Sequence, residues 1–256
     1  MSTVNWVGLA TLYKRETWRF LKVWNQTITA PVVTTLLFLA ILTLAMGAHE
    51  RLIHGVHYDM FIAPGLIMMA VVQNAFANTS SSLMLMKFQG IINDLLMPPL
   101  SAIEITAGMV MGGVSRGLMV AVTVSVAMWF FVPYSISHWW AVVFFIVASS
   151  LMLALLGLIA GIFANTFDQT SAITNYIITP LSFLSGTFYS IQDLPPFFQA
   201  ISHANPFFYM IDGFRYAVIG YSDSSPILGV KVLIATNLVL LCVAYSMIKR
   251  GYRLKS

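Results

Sequence analysis

The chain has 256 residues, 59% of them hydrophobic and only 9% charged, and its mean hydropathy is +0.84. A soluble domain carries about a quarter charged residues, so the composition excludes one and indicates a polytopic membrane protein. The net charge of +4 makes no case for nucleic acid, because the basic residues sit at the edges of apolar runs, and the single cysteine, Cys242, excludes an internal disulfide.

The apolar runs are about 20 residues long and continuous rather than alternating, which predicts helices that satisfy their own backbone in lipid. The first element is not a span. From Trp6 to Trp24, the residues Trp6, Leu9, Ala10, Tyr13, Thr17, Phe20, Leu21 and Trp24 recur at helical spacing on one face. Arg15, Arg19 and Lys22 share the other, so residues 1–25 are expected to form an interfacial helix with its basic face on anionic headgroups. No cleavable signal peptide is expected, since the first span lacks a small-residue cleavage site.

That first span covers Thr29 to Met46, and a polar loop, Gly47 to Asp59, follows it. The loop holds His49, Glu50, His54, His57 and Asp59. Without a helix or hairpin to fix their geometry, these residues are expected to be a solvated loop rather than a metal site. The second span, Phe61 to Met86, contains Gln73, Asn74, Asn78 and the run Thr79 to Ser82, and should face protein or a cavity.

Residues 87–100 are a polar break, KFQGIINDLLMPPL, with one or two helical turns stopped by Pro98-Pro99. Ser101 and Glu104 then form an S-x-x-E capping box that starts the third span, Ala102 to Phe131. Gly108, Gly112, Gly113 and Gly117 give this span two small-residue faces for close helix contact, as Gly157 and Gly161 do for the fourth, Trp139 to Phe163. Arg116 lies about 20 Å along the third span. It is expected either to cross-link to Asn74 or Asn78 or to contact a substrate.

The fifth span, Ser171 to Tyr189, is expected to kink at Pro180. Residues 190–222 then carry Pro195-Pro196 and Asn205-Pro206, each a helix start. Two helices too short to cross separately fit an outer re-entrant or interfacial hairpin, with Asp212 and Arg215 paired at i, i+3. The last span is Ile227 to Ile248. The fold class expected is therefore all-α, with six transmembrane helices in a single domain. With both termini on one side, that side holds nine Lys and Arg residues against three on the other, with Arg116 left within the membrane. The positive-inside rule puts both termini and the Lys87 loop in the cytoplasm.

No phosphate-cradling G-x-x-x-x-G-K-[ST], H-E-x-x-H or cysteine pair is present, so the chain is not expected to hydrolyse ATP or to be an enzyme. The motifs G-x-x-x-D-L-L-x-x-P-L-S, FLSG-x-F-Y and LPPFFQAISHANPFFYMIDGFR, together with the surface helix, resemble the permease subunits of the ABC type-2 transporter family. Members of that family export polysaccharides, lipid-linked glycans and drugs. The likeness covers essentially the whole chain and is most specific from Phe183 to Arg215. It implies a multi-pass inner-membrane protein of bacteria, working as a homodimer of permeases with two ATPase subunits that bind ATP and Mg. It also implies a coupling helix seated on the ATPase, whose matching positions here are Gln89, Gly90, Asp94, Leu95, Leu96 and Pro98. Family members commonly carry a charged run before that glycine, where this chain has Lys87, Phe88 and Gln89. An ion-coupled carrier would need intramembrane carboxylates or symmetric broken helices. A membrane enzyme would need a second carboxylate cluster beside the histidine loop. Neither feature appears in the sequence.

Overall fold

The computed structural model describes residues 4–46 and 52–253, so His49 and Glu50 of the first polar loop lie outside the described residues. Helix α1 is Trp6–Lys22. After a turn at Val23 a π-helical turn, Asn25–Thr29, runs directly into α2, Ala30–Met46. A two-stranded antiparallel hairpin, β1 Leu52–Ile53 and β2 Val56–His57, leads into α3, Tyr58–Phe88. The short helix α4, Ile92–Leu96, separates α3 from α5, Ala102–Trp129, and α6 is Trp139–Phe163. Next come α7, Phe167–Ile173, a π turn, Thr174–Ile178, and α8, Thr179–Phe183. The chain closes with α9, Pro196–Ala204, α10, Pro206–Ile219, and α11, Pro226–Lys249.

Five helices are long and apolar enough to cross a membrane: Asn25–Ala45, Tyr58–Phe88, Ala102–Trp129, Trp139–Phe163 and Pro226–Lys249. Their burial differs for a reason visible in the sequence. In α3 83% of the most apolar stretch is buried, whereas in the first span it is 17%. Amides and hydroxyls spread along α3 need protein partners, so that helix is the hub around which α5, α6 and α10 pack. From Ala30 on, the first span is mostly aliphatic, with threonine its only polar residue type, and lipid solvates such side chains as well as protein does.

The fifth expected span differs from its sequence reading. The continuous helical stretch runs from Phe167 to Phe183, about 25 Å at 1.5 Å per residue, and ends before Tyr189. Pro180 has no N–H to give to Tyr176. The helix meets this defect by widening into a π turn just ahead of the proline, with the Thr179 N–H bonded to the Thr174 carbonyl.

Glycines set the helix spacing. A Cβ on Gly113 would stand 2.7 Å from Ala154 Cβ of α6, and one on Gly117 would collide with Ser150. Gly157 and Gly161 bring α6 onto α3 in the same way, against the Phe76 carbonyl and Leu83. The Gly108 and Gly112 face receives a different partner, which is α1 rather than another span. A Cβ on Gly108 would meet Leu12 at 2.7 Å, and one on Gly112 would meet Glu16 Cβ at 2.5 Å.

Candidate functional site

The polar break after α3 is held by hydrogen bonds at both ends. Gly90, at φ 71°, ends α3 in a Schellman motif: its own N–H bonds the Lys87 carbonyl and the Ile91 N–H bonds that of Met86. Only glycine takes this left-handed φ without strain. Helix α4 then buries Ile92 and Leu95 while Gln89, Asp94 and Pro98 stay exposed; Leu96 ends the helix. At the far side Ser101 Oγ accepts the Glu104 N–H at 3.4 Å, and Glu104 Oε2 accepts the Ser101 N–H at 2.6 Å. Both halves of the expected capping box are present. The second carboxylate oxygen of Glu104 accepts the Asn5 N–H at 2.6 Å, which ties the start of α1 to the start of α5. Lys87 does not project from the break as its charge suggests. Its Nζ donates to the Ile162 and Ala164 carbonyls, capping the C-terminus of α6. Beside these polar groups the surface around α4 also shows large apolar side chains: Phe88 is 73% and Met97 82% exposed, and Phe88 meets Phe167 edge to face.

Helix α1 corrects its sequence reading. Arg19, and the tip of Arg15, turn onto α3 rather than toward headgroups, while Lys22 and much of Arg15 are left to solvent or lipid. The protein-facing side is Leu12, Glu16 and Phe20, while Trp6 and Trp24 of the expected apolar face are exposed. Glu16 is the reason. Its carboxylate is fully buried, accepts from Ser82 Oγ at 2.9 Å, and pairs with Arg15 at 3.0 Å and Arg19 at 3.4 Å. Arg19 reaches on to the Asn78 carbonyl at 2.5 Å and the Asn78 Oδ1 at 3.0 Å, and also donates to Ser81 Oγ. One turn along α3, Asn74 Oδ1 accepts from Arg116 Nη2 of α5 at 2.9 Å. Asn74, Asn78 and Ser81 fall at i, i+4 and i+7 on one face. A polar seam therefore joins α1, α3 and α5, and it meets the mount of α4 through Asn5 and Glu104.

At the opposite end, α9 and α10 form a bent pair. Pro195 and Pro196 stand exposed at the start of α9, and Pro206 starts α10. Asn205 caps α10 by accepting the Phe207 N–H, and its amide donates to the Leu181 carbonyl and Ser185 Oγ. Arg215 is fully buried. It donates to the Phe61 and Gly186 carbonyls and lies 3.9 Å over the Phe61 ring. Its contact with Asp212 is 3.9 Å, longer than the bonds Asp212 accepts from the Asp223 and Ser224 N–H groups. Asp223, which no sequence motif singled out, accepts from Ser190 Oγ, the Ile191 N–H and the Tyr221 hydroxyl. Burial, and then the bond to Asp223, raise the Tyr221 pKa to about 12, so the phenol remains a donor at neutral pH. His54 of the β1–β2 turn sits 3.4 Å from Asp193 and stacks on Tyr221. Among the described residues no group of three or more potential metal ligands comes together.

Two kinds of likeness bear on these features. Residues 8–219 match the family described as ABC-2 type transporter. Over 256 residues, the whole of both chains, the sequence is 41% identical to the Inner membrane transport permease YadH of Escherichia coli strain K12. It is also 22% identical to Nodulation protein J of Rhizobium leguminosarum bv. viciae, over 96% of this chain and 95% of that one. The matched span takes in α4, the seam and the bent pair alike, and the full-length identity leaves no part of the chain outside the likeness: the protein belongs to the ABC-2 type transporter family.

Proposed function

We propose that this chain is the membrane-spanning half of an ATP-driven exporter in a bacterial inner membrane, moving a lipid, glycan or drug-like substrate outward. ATP and Mg would be held by a separate ATP-binding-cassette subunit, two of which would drive a homodimer of permeases. The single observation that carries the reading is the mounting of α4. A short helix with an exposed face is fixed at one end by the Gly90 motif and at the other by the Ser101–Glu104 box. Displacement applied to Asp94 or Met97 is passed to α3 through the Gly90 motif and to α5 through the short bend Met97 to Leu100, which Pro98 and Pro99 stiffen. Through Asn5 the same push reaches α1 and the seam. In this reading α7–α8 is the sixth crossing element, and α9–α10 is the outer re-entrant hairpin. The printed name of the Escherichia coli relative, an inner membrane transport permease, supports the membrane and the transport role.

The test is pull-down of the ATPase and stimulated hydrolysis in reconstituted membranes. Ile92→Pro, which breaks α4, and Asp94→Lys are expected to uncouple hydrolysis from transport while the permease stays folded. Asp193→Lys, at the opposite end, is expected to leave association intact. Unchanged stimulation with Ile92→Pro would mean that the motor docks elsewhere or does not exist.

A further inference from the structure

Arg116 is half-buried in α5 with one hydrogen bond among the described residues, the Nη2 donation to Asn74 Oδ1 at 2.9 Å. Its Nε is buried without a partner, and no carboxylate pairs with it among the described residues. The charged neighbour that acts on it is Arg19, of the same sign. Arg15, Arg19 and Arg116 thus set three positive charges along the seam against the single carboxylate of Glu16. Asn78 Nδ2, on the α3 face between Arg19 and Arg116, is also buried with no acceptor. Glu16 Oε2 is the carboxylate oxygen left without a hydrogen bond, and it lies 3.4 Å from Arg19 Nε, so among the described residues positive charge stays in excess and no carboxylate reaches Arg116.

A guanidinium at membrane depth is costly and persists where something compensates it. Holding Asn74 uses one of its five donors, a task that a neutral glutamine would perform as well. The planar fork is instead suited to two oxygens of a phosphate group. We propose that Arg116, supported by Arg19 and Asn78, forms a binding site for the phosphate of an anionic amphiphile, in the half of the membrane next to α4. Depth selects the source: a lipid-anchored phosphate brings its own apolar tail to a site 20 Å or so along a membrane helix, whereas a free anion must shed its water first. Naming the amphiphile as cargo rests on the exporter reading. Binding does not, and is measured on the permease without the ATPase.

The experiment is native mass spectrometry of the permease released from nanodiscs made of equal parts phosphatidylcholine and phosphatidylglycerol, with and without inorganic phosphate. Wild type is expected to retain phosphatidylglycerol over phosphatidylcholine, and Arg116→Gln to lose about tenfold of that preference. Arg116→Lys, which keeps the charge without the fork, is expected to fall between them, and it decides the matter if Arg116→Gln does not fold. Retention that inorganic phosphate leaves unchanged supports the lipid source. Arg116-dependent binding of inorganic phosphate with no lipid preference overturns the amphiphile. Equal phosphatidylglycerol retention by wild type and both variants overturns the site. So does loss of a permease dimer in Arg116→Gln without loss of lipid, since the counter-charge would then come from a second copy.

Discussion

Glu16 is the residue on which the α1 side of the molecule depends. Among the described residues it is the one carboxylate paired with Arg15 and Arg19, and it is fully buried between α1, α3 and the Gly112 face of α5. Removing one partner of a buried ion pair leaves the other charge desolvated, typically at a cost of about 3 kcal/mol. Glu16→Gln is therefore expected to lower the thermal midpoint of the detergent-solubilised permease. Adding Arg19→Gln to that variant should recover part of the loss, because it removes the stranded charge as well. Thermal melts of the single and double variants check this, and a double variant less stable than Glu16→Gln would show that the bonds of Arg19 to Asn78 outweigh its pairing with Glu16. Nothing in the spacing of apolar residues along α1 exposes this role. The periodicity puts Trp6 and Trp24 on one face with Phe20, yet Phe20 packs on protein and the two exposed indoles suit a membrane interface. The available signal was compositional: an acid flanked by two arginines, opposite a glycine face that leaves room for it.

At the scale of elements, local chemistry was readable and partner choice was not. The start of α5 at Ser101 follows from two residues whose side chains bond each other's backbone, so no tertiary context was needed. The end of α3 at Gly90 is equally local. The pairing of Arg116 with Asn74 was open in the sequence between two amides and a substrate, because either amide lies within reach of a long side chain. The partner of the Gly108–Gly112 face was invisible, since a small-residue stripe says that something comes close and not what. That partner is now testable. Gly112→Leu is expected to push α1 off α5 while the spans remain assembled, since the new side chain would occupy the place of Glu16 Cβ. With Cys242→Ala as background, Leu12→Cys should react slowly with a maleimide in detergent, because position 12 is buried. Adding Gly112→Leu should speed the reaction about tenfold, in line with loss of a docked state. An unchanged rate would mean that α1 is held by the seam alone.

For the whole molecule the decisive question is whether the stretch from Phe167 to Phe183 crosses the membrane. At about 25 Å it is shorter than a hydrocarbon core of about 30 Å. On the proposed reading it crosses, and its surroundings are what support that reading. One end of the molecule gathers α4, the Asn5–Glu104 link, and the Phe163–Tyr252 contact that joins the ends of α6 and α11. The other end gathers the β1–β2 turn at Asp193 and the α5–α6 connection, where the Ser137 and His138 N–H groups bond carbonyls at the end of α10. The stretch starts at the first end just after α6, and beyond its last turn Phe188 meets both Phe183 and Phe38 of α2. The deficit in length is met by the backbone from Leu184 to Ser190, whose polar groups are held by protein: Ser185 Oγ bonds the Leu181 carbonyl, and Arg215 bonds that of Gly186. Such non-helical backbone is tolerated at membrane depth when it is buried in protein. Cysteines placed one at a time, Gln89→Cys and Asp193→Cys in the Cys242→Ala background, report the outcome in intact cells. An impermeant maleimide should label position 193 from outside and position 89 only after the cells are opened. If position 193 is also reached only after opening, the stretch returns to the cytoplasmic side, the chain has five crossings, and α9–α10 faces the ATPase instead of the exterior.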